Sequence, residues 1–91
     1  MSWTYSFDAR ALRELKKLDR PAQILIIKFL DKNIAGPHAP TRLGKPLKGK
    51  MAGLWRYRTG PYRIICQIRN QILLVLVVSV GHRKDIYRKF V

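Results

Sequence analysis

Leu54-Trp55-Arg56-Tyr57-Arg58-Thr59-Gly60-Pro61-Tyr62-Arg63-Ile64-Ile65-Cys66-Gln67-Ile68-Arg69 is the stretch on which the fold turns. Bulky apolar and cationic residues alternate on both sides of a turn signal, the pattern of a β-hairpin with one buried face. A two-residue turn at Thr59-Gly60 sets Tyr57 opposite Tyr62 and Arg56 opposite Arg63. Trp55, Tyr57, Tyr62, Ile64, Cys66 and Ile68 then share a core face. Leu54, Arg56, Arg58, Arg63, Ile65, Gln67 and Arg69 share the other. A three-residue turn would mix Arg63 with Trp55, because one residue of slip inverts a strand. The hydrophobic pattern therefore selects the register, with strands predicted at 54 to 58 and 62 to 69.

Working outward, residues 72 to 80 are apolar at nearly every position. They predict a central strand covered on both faces for much of its length, with Asn70-Gln71 at a hairpin position. Before the hairpin, residues 37 to 53 form a basic loop region rich in Pro and Gly, carrying Arg42, Lys45, Lys48 and Lys50. At the start, Trp3, Tyr5 and Phe7 alternate with Ser2, Thr4 and Ser6, which predicts a half-buried strand. Asp8 is a helix N-cap, and Leu12, Leu15 and Leu18 follow at helical spacing. Asp19 caps a second helix with Pro21 in its first turn. Ala22, Leu25, Ile26, Phe29 and Leu30 form its apolar stripe, and Gly36-Pro37 ends it. The order β-α-α-β-β-β predicts an α+β fold, with two N-terminal helices packed on one face of a mostly antiparallel sheet. A short charged tail, 81 to 91, closes the single domain, residues 1–91.

Nineteen Lys and Arg face five acids, giving a net charge of +14. A field of that sign draws polyanions: nucleic acid, an acidic membrane surface or an acidic protein. The longest apolar run is far too short to span a bilayer, and no stretch reads as a basic amphipathic membrane helix. No secretory signal is visible. The single cysteine, Cys66, excludes an internal disulfide, suits a reducing cytoplasm and sits where a buried thiol is expected. With one Glu, four scattered Asp and only His38 and His82, no carboxylate pair or metal-ligand cluster is visible, and no Gly-rich loop cradles a cofactor phosphate. Neither metal nor cofactor is expected. A catalyst here would work with Arg, Lys, Tyr and His.

Opposed arginines on one sheet face repel one another. A phosphate lying on that face would turn the repulsion into charge-assisted bonds. The alternative is a plain solvated basic face, although such faces more usually mix signs.

The chain resembles the RelE toxins of the RelE/ParE superfamily along nearly its whole length. The opening strand with Phe7-Asp8-Ala9-Arg10-Ala11-Leu12-Arg13-Glu14-Leu15-Lys16-Lys17-Leu18 is similar to that family's start. Lys45-Pro46-Leu47-Lys48-Gly49 is similar to its K-L-x-G loop. Leu54-Trp55-Arg56-Tyr57-Arg58 and Pro61-Tyr62-Arg63-Ile64 resemble its basic strand and G-Y-R-L turn. Val78-Ser79-Val80-Gly81-His82-Arg83 and Asp85-Ile86-Tyr87 resemble its ending. Three departures stand out. Leu54 replaces a strand lysine, His82 takes a position often held by Lys, and the interval from Gly81 to Tyr87 is two residues shorter.

The resemblance implies a toxin that cuts messenger RNA in the ribosomal A site and is held inactive by a RelB-like antitoxin with an acidic or amphipathic segment. It implies catalytic roles for Arg56, Arg63, Arg83 and Tyr87. Such cleavage proceeds without metal, by attack of the 2′-OH on the adjacent phosphorus, giving a 2′,3′-cyclic phosphate and a 5′-OH. Arg56 and Arg63 suit the phosphate, since a guanidinium fork engages two oxygens at once. Arg83 suits the leaving oxygen, as acid or as charge stabiliser. Tyr87 suits a base or a stacking platform. His82, the one side chain near the site that ordinarily titrates near neutrality, is a second-rank acid–base candidate. Lys45, Lys48, Lys50 and Arg58 are expected to track RNA backbone, whether messenger or ribosomal. The alternative on the same scaffold is a ParE-like inhibitor of DNA gyrase that cuts no RNA. A third is a nucleic-acid-binding module without catalysis.

Overall fold

The computed structural model describes residues 1–90, with side chains as far as Arg88. The elements are β1 (Thr4–Phe7), α1 (Ala9–Lys17), α2 (Arg20–Asn33), β2 (Lys45–Pro46), β3 (Leu54–Thr59), β4 (Tyr62–Arg69) and β5 (Leu74–His82). A 3-10 segment, Ile86–Phe90, follows. The strands form one sheet in the order β1-β5-β4-β3-β2. Only β1 and β5 run parallel; the other neighbours are antiparallel. The predicted α+β architecture is the one observed.

Both helices start where a short acid stops the preceding chain. Asp8 accepts from the Ala11 amide at 2.8 Å, and Asp19 from the Ala22 amide at 3.0 Å. Each bond satisfies an N–H that the first helical turn leaves without a partner. The helices lay Ala11, Leu15, Ile26, Leu30 and Ile34 against Tyr57, Ile64, Cys66, Val75, Val77 and Val80 of the sheet. The buried stripe is narrower than the periodicity predicts. Leu12 and Leu25 point outward, 40% and 38% exposed, while Ala11 and Ile26 take the contact.

The hairpin faces fall as predicted, but the turn sits one residue later. Thr59 pairs with Tyr62, so the two central residues are Gly60 and Pro61. Gly60 has φ +57°. Glycine with positive φ at the first central position marks a type II′ turn, and proline serves at the second because no ladder N–H is needed there. The pairing moves by two positions, which preserves the faces. The residue opposite Arg63 is thus Arg58, and Arg56 faces Ile65.

Two further expectations shift. The last strand begins at Leu74 and runs to His82, because Asn70–Ile72 coil into a 3-10 turn and Leu73 adopts φ 51°. That strand is central, yet Leu74, Leu76 and Val78 stay half-exposed; only Ser79, Val80 and Gly81 are buried in succession. In the basic loop, Lys45–Pro46 form a short edge strand on β3. The buried Tyr57 hydroxyl donates to the Pro40 carbonyl at 2.7 Å, tying this loop to the sheet. Gly44, with φ +75°, lies so close that a Cβ there would meet the Arg56 carbonyl at 2.7 Å and the Tyr57 ring at 2.8 Å.

Candidate functional site

Strand register assembles the arginine face. Residues directly opposite in a sheet share a face, so two rows form. Lys45, Arg56, Ile65 and Ser79 make one row across four strands; Arg58, Arg63 and Gly81 make the next across three. Lys45, expected only as a loop contact, thereby stands beside Arg56. Arg58 is exposed, whereas Arg56 and Arg63 are half-buried. Lys48 and Lys50 are exposed around the turn joining β2 to β3.

The tail closes over this face. The Arg83 amide donates to the Pro61 carbonyl at 2.8 Å, which brings the end of β5 beside the hairpin turn. The chain then turns through Asp85, whose amide donates to the His82 carbonyl at 2.9 Å. Ile86 is fully buried, and it holds the next residue in place. The Arg56 guanidinium donates from Nη1 to the Tyr87 hydroxyl at 3.3 Å. Arg56 and Tyr87 therefore meet, on the face that Arg63 shares, and the backbone of Arg83 lies beside the hairpin turn.

The pKa of Arg63 is lowered first by burial and then by the Arg58 charge; Arg56 and Arg83 push the same way, and Tyr87 opposes them. Among the described residues, none of these four arginines is in an ion pair. The Arg56 Nε–H is buried and meets no acceptor among the described residues. A buried guanidinium N–H is best satisfied by an anionic acceptor, so this donor suits an anion. Among the described residues no three His, Cys, Asp or Glu side chains gather as a metal site.

His82 is not brought to this cluster. It pairs with Tyr62, on the helix-bearing side of the sheet, with the two rings edge to face at 6.0 Å. There it lines a shallow pocket with Glu14, Lys17 and Asp85. Its Nδ1 accepts from the Lys84 amide at 3.2 Å.

A contact at the edge of β5, beyond the end of β1, escaped the sequence reading. The Glu14 carboxylate accepts through Oε1 from the Ser79 hydroxyl at 2.7 Å and from the Val80 amide at 3.2 Å. The signal was there: Ser79 is the one hydroxyl inside an otherwise apolar run.

This two-helix, five-strand α+β scaffold matches that of the RelE/ParE class of toxins. The chain matches the family described as the ParE toxin of the parDE type II toxin–antitoxin system over residues 5–87, and it belongs to that family. It is 34% identical to toxin RelG of Mycobacterium tuberculosis over 98% of this chain and 100% of that one. The toxin–antitoxin complex RelBE2 from the same organism superposes with a TM-score of 0.81 at 31% identity, covering 92% of this chain and 94% of that chain. The intact Escherichia coli RelBE toxin–antitoxin complex gives a TM-score of 0.66 at 29% identity, covering 88% and 95%. This chain is a toxin of a type II toxin–antitoxin system. No helix among the described residues is long and apolar enough to cross a membrane.

Proposed function

We propose that this toxin is an endoribonuclease of the cytoplasm that cuts messenger RNA in the ribosomal A site. The observation that carries this reading is the arginine cluster itself: Arg56, with its Nε–H buried, set beside Arg58, Arg63 and Arg83, none of them in an ion pair among the described residues, an arrangement suited to a negative charge. A scissile phosphate supplies that charge. Arg56 and Arg63 hold its non-bridging oxygens through paired N–H groups. The 2′-OH loses its proton as its oxygen bonds to phosphorus, the bond from phosphorus to the 5′ oxygen breaks, and that oxygen takes a proton from water, leaving a 2′,3′-cyclic phosphate and a 5′-OH. Tyr87, its oxygen already at the guanidinium of Arg56, is the candidate to receive the proton once its own has passed to solvent. Arg83, anchored by its backbone at the hairpin turn, stabilises the leaving oxygen. Preorganised cations are worth most where charge grows in the transition state. The steps use this chain's own side chains and water, and require no metal. His82, on the other side of the sheet, takes no part.

Lys45, Lys48, Lys50 and Arg58 surround the cluster with positive charge for messenger or ribosomal RNA. The partner is a RelB-like antitoxin whose acidic or amphipathic segment covers part of the arginine face. A second reading, inhibition of DNA gyrase, is favoured by the description of the matched family as ParE toxins. Primer extension on a translated messenger, with and without ribosomes, separates the two. Ribosome-dependent cuts support the nuclease. Intact messenger together with loss of gyrase supercoiling supports the alternative.

A further inference from the structure

β1 covers its edge of β5 only as far as the pair Phe7–Val77, and the Asp8 amide then closes onto the Val77 carbonyl at 3.0 Å. Beyond that point β5 has no strand on this side. Between the pairs Ile65–Ser79 and Cys66–Val77 one extra residue, Val78, sits in β5 as a bulge. A bulge re-aims the strand that carries it. The stretch that follows, Ser79 to Gly81, is completely buried, and a buried backbone N–H must find an acceptor. Glu14 of α1 supplies one to Val80 and binds the Ser79 hydroxyl through the same oxygen. Its second oxygen lies 3.5 Å from Arg10 Nε, and its side chain is only 17% exposed.

We infer that Glu14 is a positioning residue for the arginine cluster: its carboxylate clamps the re-aimed end of β5 and so sets where Arg83 starts. Two residues, Gly81 and His82, separate Val80 from Arg83, and the Arg83 amide is tied to Pro61. The strand end is thus pinned from α1 on one side and from the hairpin turn on the other. Loosening the α1 side lets Arg83 drift, and small misplacements of a catalytic group are expensive in rate. The inference rests on the nuclease reading above.

What matters in this role is reach. Asp at position 14 keeps the charge but draws the carboxylate back by one methylene. Gln keeps the length and presents a carbonyl oxygen to both donors. The experiment compares Glu14→Asp and Glu14→Gln, alone and combined with Arg83→Ala, by single-turnover cleavage in programmed ribosomes. Ribosome affinity and thermal unfolding are followed in parallel. The expected result is a loss of about tenfold in the cleavage rate for Asp, with Gln recovering most of it and ribosome affinity unchanged. In the Arg83→Ala background the Asp substitution should cost nothing more, because coupled residues fail to add.

A loss that is equal in both backgrounds, or one that tracks thermal stability across the variants, overturns the inference. Native-state hydrogen exchange gives a readout independent of activity. Glu14→Asp should speed exchange at Val80 through Arg83 relative to the rest of the sheet, and unchanged exchange there also overturns it. Should the parent protein cut no RNA, the nuclease reading falls by itself, and exchange alone then decides whether Glu14 holds the strand end.

Discussion

Arg58 of β3 stands directly across the hairpin from Arg63 of β4, so two guanidinium groups share one position in the sheet with no acid between them. Sequence pairing of this kind works against folding. It persists here beside Arg56 and Arg83, where an RNA phosphate would be held.

The pair predicts a trade between stability and binding. Arg58→Thr removes the repulsion and places a β-branched residue in the strand. It should raise unfolding free energy by about 0.5 kcal/mol, while weakening ribosome association and flattening its salt dependence. Urea titration and binding at two salt concentrations check both halves. A destabilised Arg58→Thr protein would refute the repulsion argument.

Arg83→Ala tests the catalytic assignment. Cleavage in programmed ribosomes should fall about a hundredfold or more, as for loss of one preorganised donor. Ribosome affinity should change little, since many Lys and Arg residues supply it. Arg83 is exposed, so folding stability should stay within about 0.5 kcal/mol. A folded variant that cuts at the parent rate removes Arg83 from the mechanism.

Gly44→Ala probes the loop that abuts Arg56. The new Cβ overlaps both the Arg56 carbonyl and the Tyr57 ring, at a positive φ. The expected loss is about 2 kcal/mol or more. Gly53→Ala is the control, since Gly53 also has positive φ, at +91°, but meets nothing within 4 Å. Equal losses in the two variants would show that backbone strain, and not the contact with β3, sets the requirement at position 44.

Burial raises the pKa of the Cys66 thiol in the folded chain. The unfolded chain releases that proton above about pH 8.5, while the folded chain keeps it. The unfolded state therefore binds fewer protons above this point, and stability falls as pH rises through the alkaline range. It is unaffected by this group below it. Denaturant midpoints between pH 7 and pH 10 should decline more steeply for the parent than for Cys66→Ala. Parallel slopes would contradict the assignment.

Much of this was legible in the residues. The two aspartate caps, the apolar run at 72 to 80 and the division of the hairpin into a core face and an arginine face all follow from period and turn chemistry. Turn position was not, because Thr59-Gly60 and Gly60-Pro61 are both acceptable two-residue turns and preserve the same faces. The edge strand at Lys45–Pro46 is too short to carry a period. Ile26 lies buried as its stripe predicts, but Leu12 and Leu25 fit a helical stripe equally well and are exposed, while Ala11 is buried in the packing. At the site, the arginines of the hairpin were visible as a pattern. His82 was not placed, since the side it faces depends on the bulge at Val78.

The arrangement of β5 between β1 and β4 has a consequence for the timing of synthesis. The first strand made finds its neighbour only in nearly the last segment made. Until residues 74 to 82 have left the ribosome, the helices have half a sheet to pack on and the end of β5 that carries Arg83 does not exist. Domains emerge from the N-terminus onward, and contacts this far apart in sequence form late. A chain stopped before Leu74 thus has neither a closed sheet nor a complete arginine cluster.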